Sequence, residues 1–90
     1  MENCIFCRIV AHEIPSQLLY EDDRVIVIPD AHPAAPTHWL VIPKKHIASL
    51  NDLTPEDEPL AGHLVWVGRQ MAQRAGIAES GFRLVINTGP

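Results

Sequence analysis

The feature that most constrains this chain is a pair of short β-rich runs closed around a charged tetrapeptide. Leu18-Leu19-Tyr20 and Val25-Ile26-Val27-Ile28 flank Glu21-Asp22-Asp23-Arg24. β-Branched and aromatic residues on either side of a polar turn read as a hairpin. The next stretch, 30–37, holds Pro33 and Pro36 and cannot be a central strand, because proline has no amide to give to a ladder. A third strand is expected at His38-Trp39-Leu40-Val41-Ile42, ended by Pro43-Lys44-Lys45-His46, and a fourth at Phe82-Arg83-Leu84-Val85-Ile86, running into Asn87-Thr88-Gly89-Pro90.

Two helices complete the reading. Phe6, Ile9 and Val10 recur at three- and four-residue spacing, which suits a short helical segment limited by Pro15. A longer helix is expected within 54–75. Thr54 can cap it, Pro55 suits the first position, and Asp57 stands where a capping-box acid belongs. Pro59 cannot bond back to Pro55, so the first turn is expected to be irregular and the regular helix to start near Pro59. Leu60, Leu64, Val67, Met71 and Ala75 form an apolar stripe, and Gly76 is a plausible stop. Val65 and Trp66 lie outside the stripe, so the helix has two sides to bury: a sheet on one, a partner subunit on the other. Consecutive strands with short turns give the fold class: α+β, an antiparallel sheet with one long and one short helix.

The chain is 47% hydrophobic, enough to bury a core, but 90 residues leave such a core marginal, so a metal, a partner chain or a further segment matters to it. With seven Lys and Arg and a net charge of -4 there is no broad basic face, which argues against nucleic acid as a partner. No apolar run is long enough to cross a membrane, and Met1-Glu2-Asn3-Cys4 has neither a basic start nor an apolar signal core, so the expected location is cytoplasmic. In that reducing compartment Cys4 and Cys7, spaced C-x-x-C, read as a metal or redox site rather than a structural disulfide, with simple packing of free thiols as the plainer alternative.

Taken in order, Cys4-Ile5-Phe6-Cys7-Arg8-Ile9, Glu13-Ile14-Pro15, Tyr20-Glu21-Asp22-Asp23, Ala35-Pro36-Thr37-His38, Val41-Ile42-Pro43-Lys44-Lys45-His46-Ile47, Gly62-His63-Leu64 and Val85-Ile86-Asn87-Thr88-Gly89 resemble the histidine-triad (HIT) family, its Hint-like branch in particular. The resemblance spans residues 4 to 89, and the run from Ala35 to Ile47 is its most specific part. There is also a departure. The family continues from its Asn-x-Gly stretch into a strand reading His-x-His-x-His. The five histidines here are His12, His32, His38, His46 and His63, no two of them spaced H-x-H. The expectation is therefore a single HIT-like domain over 1–90, C-terminally incomplete and missing its last strand, with no catalytic residue among those present.

The resemblance implies binding of a purine nucleoside monophosphate or nucleotide conjugate. The parent activity is hydrolysis of nucleoside 5′-phosphoramidates through a nucleotidyl-histidine intermediate, which is covalent catalysis by an activated imidazole. It implies Asp30 as the ribose-binding acid, a role that suits a carboxylate because it can accept from both hydroxyls of a vicinal diol. The plainer reading of Asp30 is a turn former at a strand end. Phe6, Ile9 and Ile28 are candidate walls for the base, against a reading as ordinary core, and Ala31 would add a contact beside Asp30. Asn87 would donate to a phosphoryl oxygen, against a reading as a turn residue before Gly89. The resemblance also implies a structural zinc held by Cys4, Cys7 and His46, three of four tetrahedral ligands. Lys44 and Lys45 read as solvated surface, and His12, His32, His38 and His63 as structural or exposed, with His38 placed to hydrogen-bond the neighbouring loop.

Three functions compete at this point: a HIT-family phosphoramidase whose last segment lies elsewhere, a non-catalytic nucleotide-binding or dimerisation module, and a small zinc-binding scaffold. A sheet without its final strand has an open edge that invites pairing, so a homodimer or a larger assembly, or completion by another segment, is expected.

Overall fold

A computed structural model describes residues 4–89. Met1–Asn3, read above for the lack of a signal core, and Pro90 lie outside the described residues. The chain divides into two compact units, Met1–His46 and Ile47–Pro90.

In the first unit Cys4 caps a short helix, α1 (Ile5–Val10), its Sγ accepting the Cys7 amide at 3.2 Å. The helix stops well before Pro15. His12 takes the left-handed conformation (φ 61°), and the amides of His12 and Glu13 return to the carbonyls of Ile9 and Arg8 at 3.0 and 2.9 Å. This is the reversed hydrogen bonding of a left-handed helix stop, built on histidine where glycine is usual.

The expected hairpin is present. β1 (Tyr20–Glu21) pairs antiparallel with β2 (Val25–Pro29), Tyr20 opposite Val27 and Glu21 opposite Ile26. The paired part of β1 starts two residues later than expected, although the Leu19 amide still reaches the Val27 carbonyl at 2.8 Å. Asp22 makes the turn: Oδ1 accepts the amides of Arg24 and Val25 at 2.7 and 2.8 Å, and Oδ2 accepts the Tyr20 hydroxyl at 2.8 Å. An aspartate that satisfies amides two and three residues ahead substitutes for a backbone turn. β3 (Trp39–Pro43) pairs antiparallel with β2, Ile26 facing Ile42 and Ile28 facing Leu40. The sheet order is β1-β2-β3. Because side chains alternate along a strand, Ile26, Ile28, Ile42 and Leu40 share one face, where Ile9, Val10, Ile14 and Leu18 pack with them.

In the second unit a 3₁₀ turn at Leu50–Asp52 is followed by another at Pro55–Asp57 and then by α2 (Glu58–Arg74). The irregular first turn expected from Pro59 is this second 3₁₀ turn. Asp57 is buried, and its Oδ2 accepts the Thr54 amide at 3.0 Å and the Thr54 hydroxyl at 3.2 Å. At the other end Gly76 is left-handed (φ 76°), and the amides of Gly76 and Ile77 return to Gln73 and Ala72 at 3.1 and 3.0 Å, so the expected stop holds. Val67 and Met71 of the stripe are buried with Gly68 and Ala72, whereas Val65 and Trp66 are 56% and 51% exposed. The Arg69 guanidinium lies 5.2 Å from the Trp66 ring centre.

The expected fourth strand is not one. Residues 82–86 form no ladder with any described segment, and Phe82, Leu84, Val85 and Ile86 are exposed. The run has β composition, but a strand exists only when a neighbour takes its amides and carbonyls, and propensity cannot supply the neighbour. Leu84 rests on α2, where a Cβ at Gly68 would come within 2.9 Å of Leu84 Cδ2. The architecture is α+β: a three-stranded antiparallel sheet with one short and one long helix.

Candidate functional site

The first unit gathers two groups of polar side chains. Cys4 and Cys7 stand at the start of α1, three residues apart, and His46 follows the end of β3. The Cys7 Sγ lies 3.0 Å from His46 Nδ1, and the ligand atoms of Cys4, Cys7 and His46 all lie within 4.8 Å of one another. Both thiols are free and half-buried. The two thiols are not equivalent. The Cys7 thiol and the Cys7 amide hydrogen-bond the Cys4 sulfur and bring its pKa down to about 7, and the same thiol pair pushes Cys7 up. Two sulfurs and one imidazole nitrogen at this separation match the donor set and the reach of a tetrahedral zinc, with Zn–S of about 2.3 Å and Zn–N of about 2.0–2.1 Å. The three expected ligands are thus close enough to bind a metal.

The second group sits where β2 gives way to the proline-bearing loop. Asp30, just past β2, has its side chain 25% exposed. Its Oδ1 accepts the His32 amide at 2.8 Å, and its Oδ2 lies 3.4 Å from Nε2 of His38, the residue before β3. The Asp30 amide donates to the His38 carbonyl at 2.9 Å, and His38 Nδ1 accepts the Ala34 amide at 2.9 Å. A carboxylate has about four acceptor directions. Two are engaged here, which leaves capacity for two more donors.

The remaining candidates are distributed differently. Phe6 and Ile9 are three residues apart on α1 and share a face. Phe6 is 41% exposed, while Ile9 and Ile28 belong to the buried cluster of the first unit. Ala31 is exposed beside Asp30, and Asn87 is exposed in the irregular end of the second unit. Lys44, read as surface, is paired: its Nζ lies 2.8 Å from Glu21 Oε2, and that ammonium holds the Glu21 carboxyl below its ordinary value. His12 Nε2 approaches the same carboxylate oxygen at 3.6 Å. The sequence reading gave His38 a loop hydrogen bond but missed its approach to Asp30. The available signal was the loop itself, a two-proline segment whose closure returns the chain to the strand it left.

The chain resembles known proteins along nearly its whole length. The family model described as "Scavenger mRNA decapping enzyme C-term binding" matches residues 3–90. The chain is 46% identical over 89 residues to Protein HitA of Neisseria gonorrhoeae, covering 99% of this chain and 82% of that protein. It is 44% identical over 87 residues to the purine nucleoside phosphoramidase of Escherichia coli K12, covering 97% of this chain and 73% of that protein. The structure of a HIT family hydrolase from Clostridium thermocellum superposes with a TM-score of 0.94 at 44% identity, covering 99% of this chain and 77% of that one. A match over nearly the whole chain, in sequence and in fold, shows that this protein belongs to the histidine-triad family.

Proposed function

We propose that this chain binds purine nucleoside monophosphates and their conjugates, and that its parent activity is hydrolysis of nucleoside 5′-phosphoramidates. The observation that carries this reading is the Asp30 carboxylate, tethered on both oxygens yet still partly open, in a chain 44% identical to a purine nucleoside phosphoramidase. Asp30 accepts the two ribose hydroxyls. Phe6 offers exposed ring surface to the base, Ile9 and Ile28 are assigned to the base pocket on the family resemblance, and Ala31 lies against the ligand beside Asp30. Asn87 is assigned a phosphoryl oxygen on the family resemblance alone. No bond-breaking step is assigned to His12, His32, His38, His46 or His63, because none forms the H-x-H pair from which the family draws its nucleophile. What these 90 residues contribute is recognition: holding the ribose and seating the base.

Cys4, Cys7 and His46 hold a structural zinc in the same reading. When bound, the ion supplies a cross-link between the start of α1 and the segment after β3, and no part in the reaction. The exposed Val65 and Trp66 on α2 support a homodimer, because a large apolar pair on a helix surface favours burial by a partner. The cytoplasmic setting is kept from the sequence reading, a reducing compartment being one in which a C-x-x-C pair serves a metal rather than a disulfide; among the described residues no helix is long and apolar enough to cross a membrane. Calorimetric titration with AMP tests the binding reading. Saturable binding that Asp30→Ala weakens by about tenfold or more, the effect of losing hydrogen bonds to a charged group, agrees with it. No binding, or binding indifferent to Asp30, refutes it.

A further inference from the structure

We propose that His38 is the positioning residue for the Asp30 carboxylate, and that it sets the preference for ribose over deoxyribose. The inference rests on the ribose-binding reading of Asp30 and extends it to a residue that the reading did not include.

The ring's two nitrogens have different neighbours. Nδ1 lies 2.9 Å from the Ala34 amide. An amide has a proton to give and no lone pair to offer, so Nδ1 is the acceptor. A neutral imidazole carries one ring proton, which must then sit on Nε2. Nε2 is the nitrogen that faces Asp30 Oδ2, at 3.4 Å. The loop amide of Ala34 thus selects the tautomer that carries its proton on Nε2, the nitrogen nearer the carboxylate. The other oxygen, Oδ1, is held by the His32 amide at 2.8 Å, and the main chains of Asp30 and His38 are joined by the 2.9 Å bond from the Asp30 amide to the His38 carbonyl.

The consequence is a carboxylate fixed from two sides before any ligand arrives. A free aspartate side chain rotates about two bonds, and a diol that needs both oxygens in one plane must stop that rotation on binding. Here the loop has already done so, which is preorganisation in the ordinary sense. With side chains 36% and 25% exposed, His38 and Asp30 stand at the surface of the first unit, within reach of a ligand. A merely structural clamp would look similar in the free protein, but it would act equally on every nucleotide. A positioning residue acts on the hydroxyls alone.

Two substitutions separate the arms of the ring. Asparagine places an acceptor near the Nδ1 position and has nothing at Nε2. Glutamine places an N–H donor near Nε2 and loses the Nδ1 acceptor. Affinities of the full chain for AMP and 2′-deoxy-AMP, measured by calorimetry, give the readout. The native chain and His38→Gln should prefer AMP by about tenfold or more, the scale of one hydrogen bond to a charged group. His38→Asn should bring that preference to within about threefold of unity, with the affinity for 2′-deoxy-AMP, which keeps only the 3′-hydroxyl, falling by much less than that for AMP. Equal loss of both affinities in His38→Asn, or an unchanged preference, overturns the proposal. If the asparagine variant does not fold, a folded His38→Gln that has lost the preference overturns it as well. Asp30→Asn separates this result from a failure of the underlying reading. If the native chain shows no preference, or Asp30→Asn keeps it, the ribose role of Asp30 falls and His38 falls with it. A preference that vanishes in Asp30→Asn and survives in His38→Asn refutes His38 alone. Long-range ¹H–¹⁵N spectra give a ligand-free check: the His38 ring proton should sit on Nε2, and a proton on Nδ1 contradicts the proposal.

Discussion

Cys7 Sγ lies 3.0 Å from His46 Nδ1, across thirty-nine positions of sequence, with the Cys4 sulfur completing the group. Hairpin and sheet bring the two ends of the first unit together, so a metal held there closes a loop spanning most of that unit. Protein prepared with zinc should carry one ion per chain by elemental analysis. Cys4→Ser should lose it and lower the melting temperature, because an ion that binds only the folded state stabilises that state. A native chain that carries no zinc after preparation with excess metal would leave the thiols as packed or redox groups.

Zinc uptake should also depend on pH in a particular way. The Cys4 thiol is brought down to about 7 by the Cys7 thiol and amide, while Cys7 is pushed up by the same contact. Metal ligation requires both as thiolates. Above pH 7 the ion displaces mainly the Cys7 proton; below it the Cys4 proton must leave as well. Affinity should therefore fall more steeply with acidification below pH 7 than above it, as read from competition with a chromophoric chelator. A single slope through pH 7 would argue against the thiol pair as ligands.

His12 occupies the left-handed stop of α1 at φ 61°, where a side chain costs about 1–2 kcal/mol. Glycine removes that strain but adds freedom to the unfolded chain, a loss of about 0.5–1 kcal/mol. The contact from His12 to Glu21 is long, 3.6 Å, with the His12 side chain 62% exposed, and contributes little. His12→Gly should raise stability by up to about 1 kcal/mol, a few degrees in a melting curve. A lower melting temperature would mean that His12 is held for its contacts.

Much of the fold could be read from the residues. The Asp22 turn, the helix that begins irregularly before Pro59 and stops at Gly76, and the meeting of Cys4 with Cys7 all follow from local chemistry, since each involves partners a few positions apart. Residues 82–86 misled for the opposite reason: β-branched composition is local, but a strand's partner is not. His38 was only half legible. A histidine beside a proline loop announces a loop hydrogen bond, whereas its approach to Asp30 depends on the register of β2 and β3, with Pro29 facing Trp39. His46 could be assigned as a ligand only through the family resemblance, because nothing near it in sequence is a thiol.

The Glu21–Lys44 pair should shape the acid limb of stability. Lys44 first, and His12 after it, hold the Glu21 carboxyl below its ordinary value of 4.5. A depressed folded pKa means that the contribution is fully present above 4.5 and is lost as pH falls through the folded value. Glu21→Gln should therefore flatten the fall of melting temperature below that point and change little near neutrality beyond the loss of the pair itself. An identical acid limb in the variant would show that the pair is too well solvated to matter.

The most direct test of nucleotide recognition is a ¹H–¹⁵N correlation spectrum of the full chain titrated with AMP. The account predicts saturable shifts centred on Phe6, Asp30, Ala31 and His38, absent in Asp30→Ala at the same AMP concentration. A spectrum unchanged at millimolar AMP, or shifts confined to other residues, would contradict the assignment of these residues to a nucleotide.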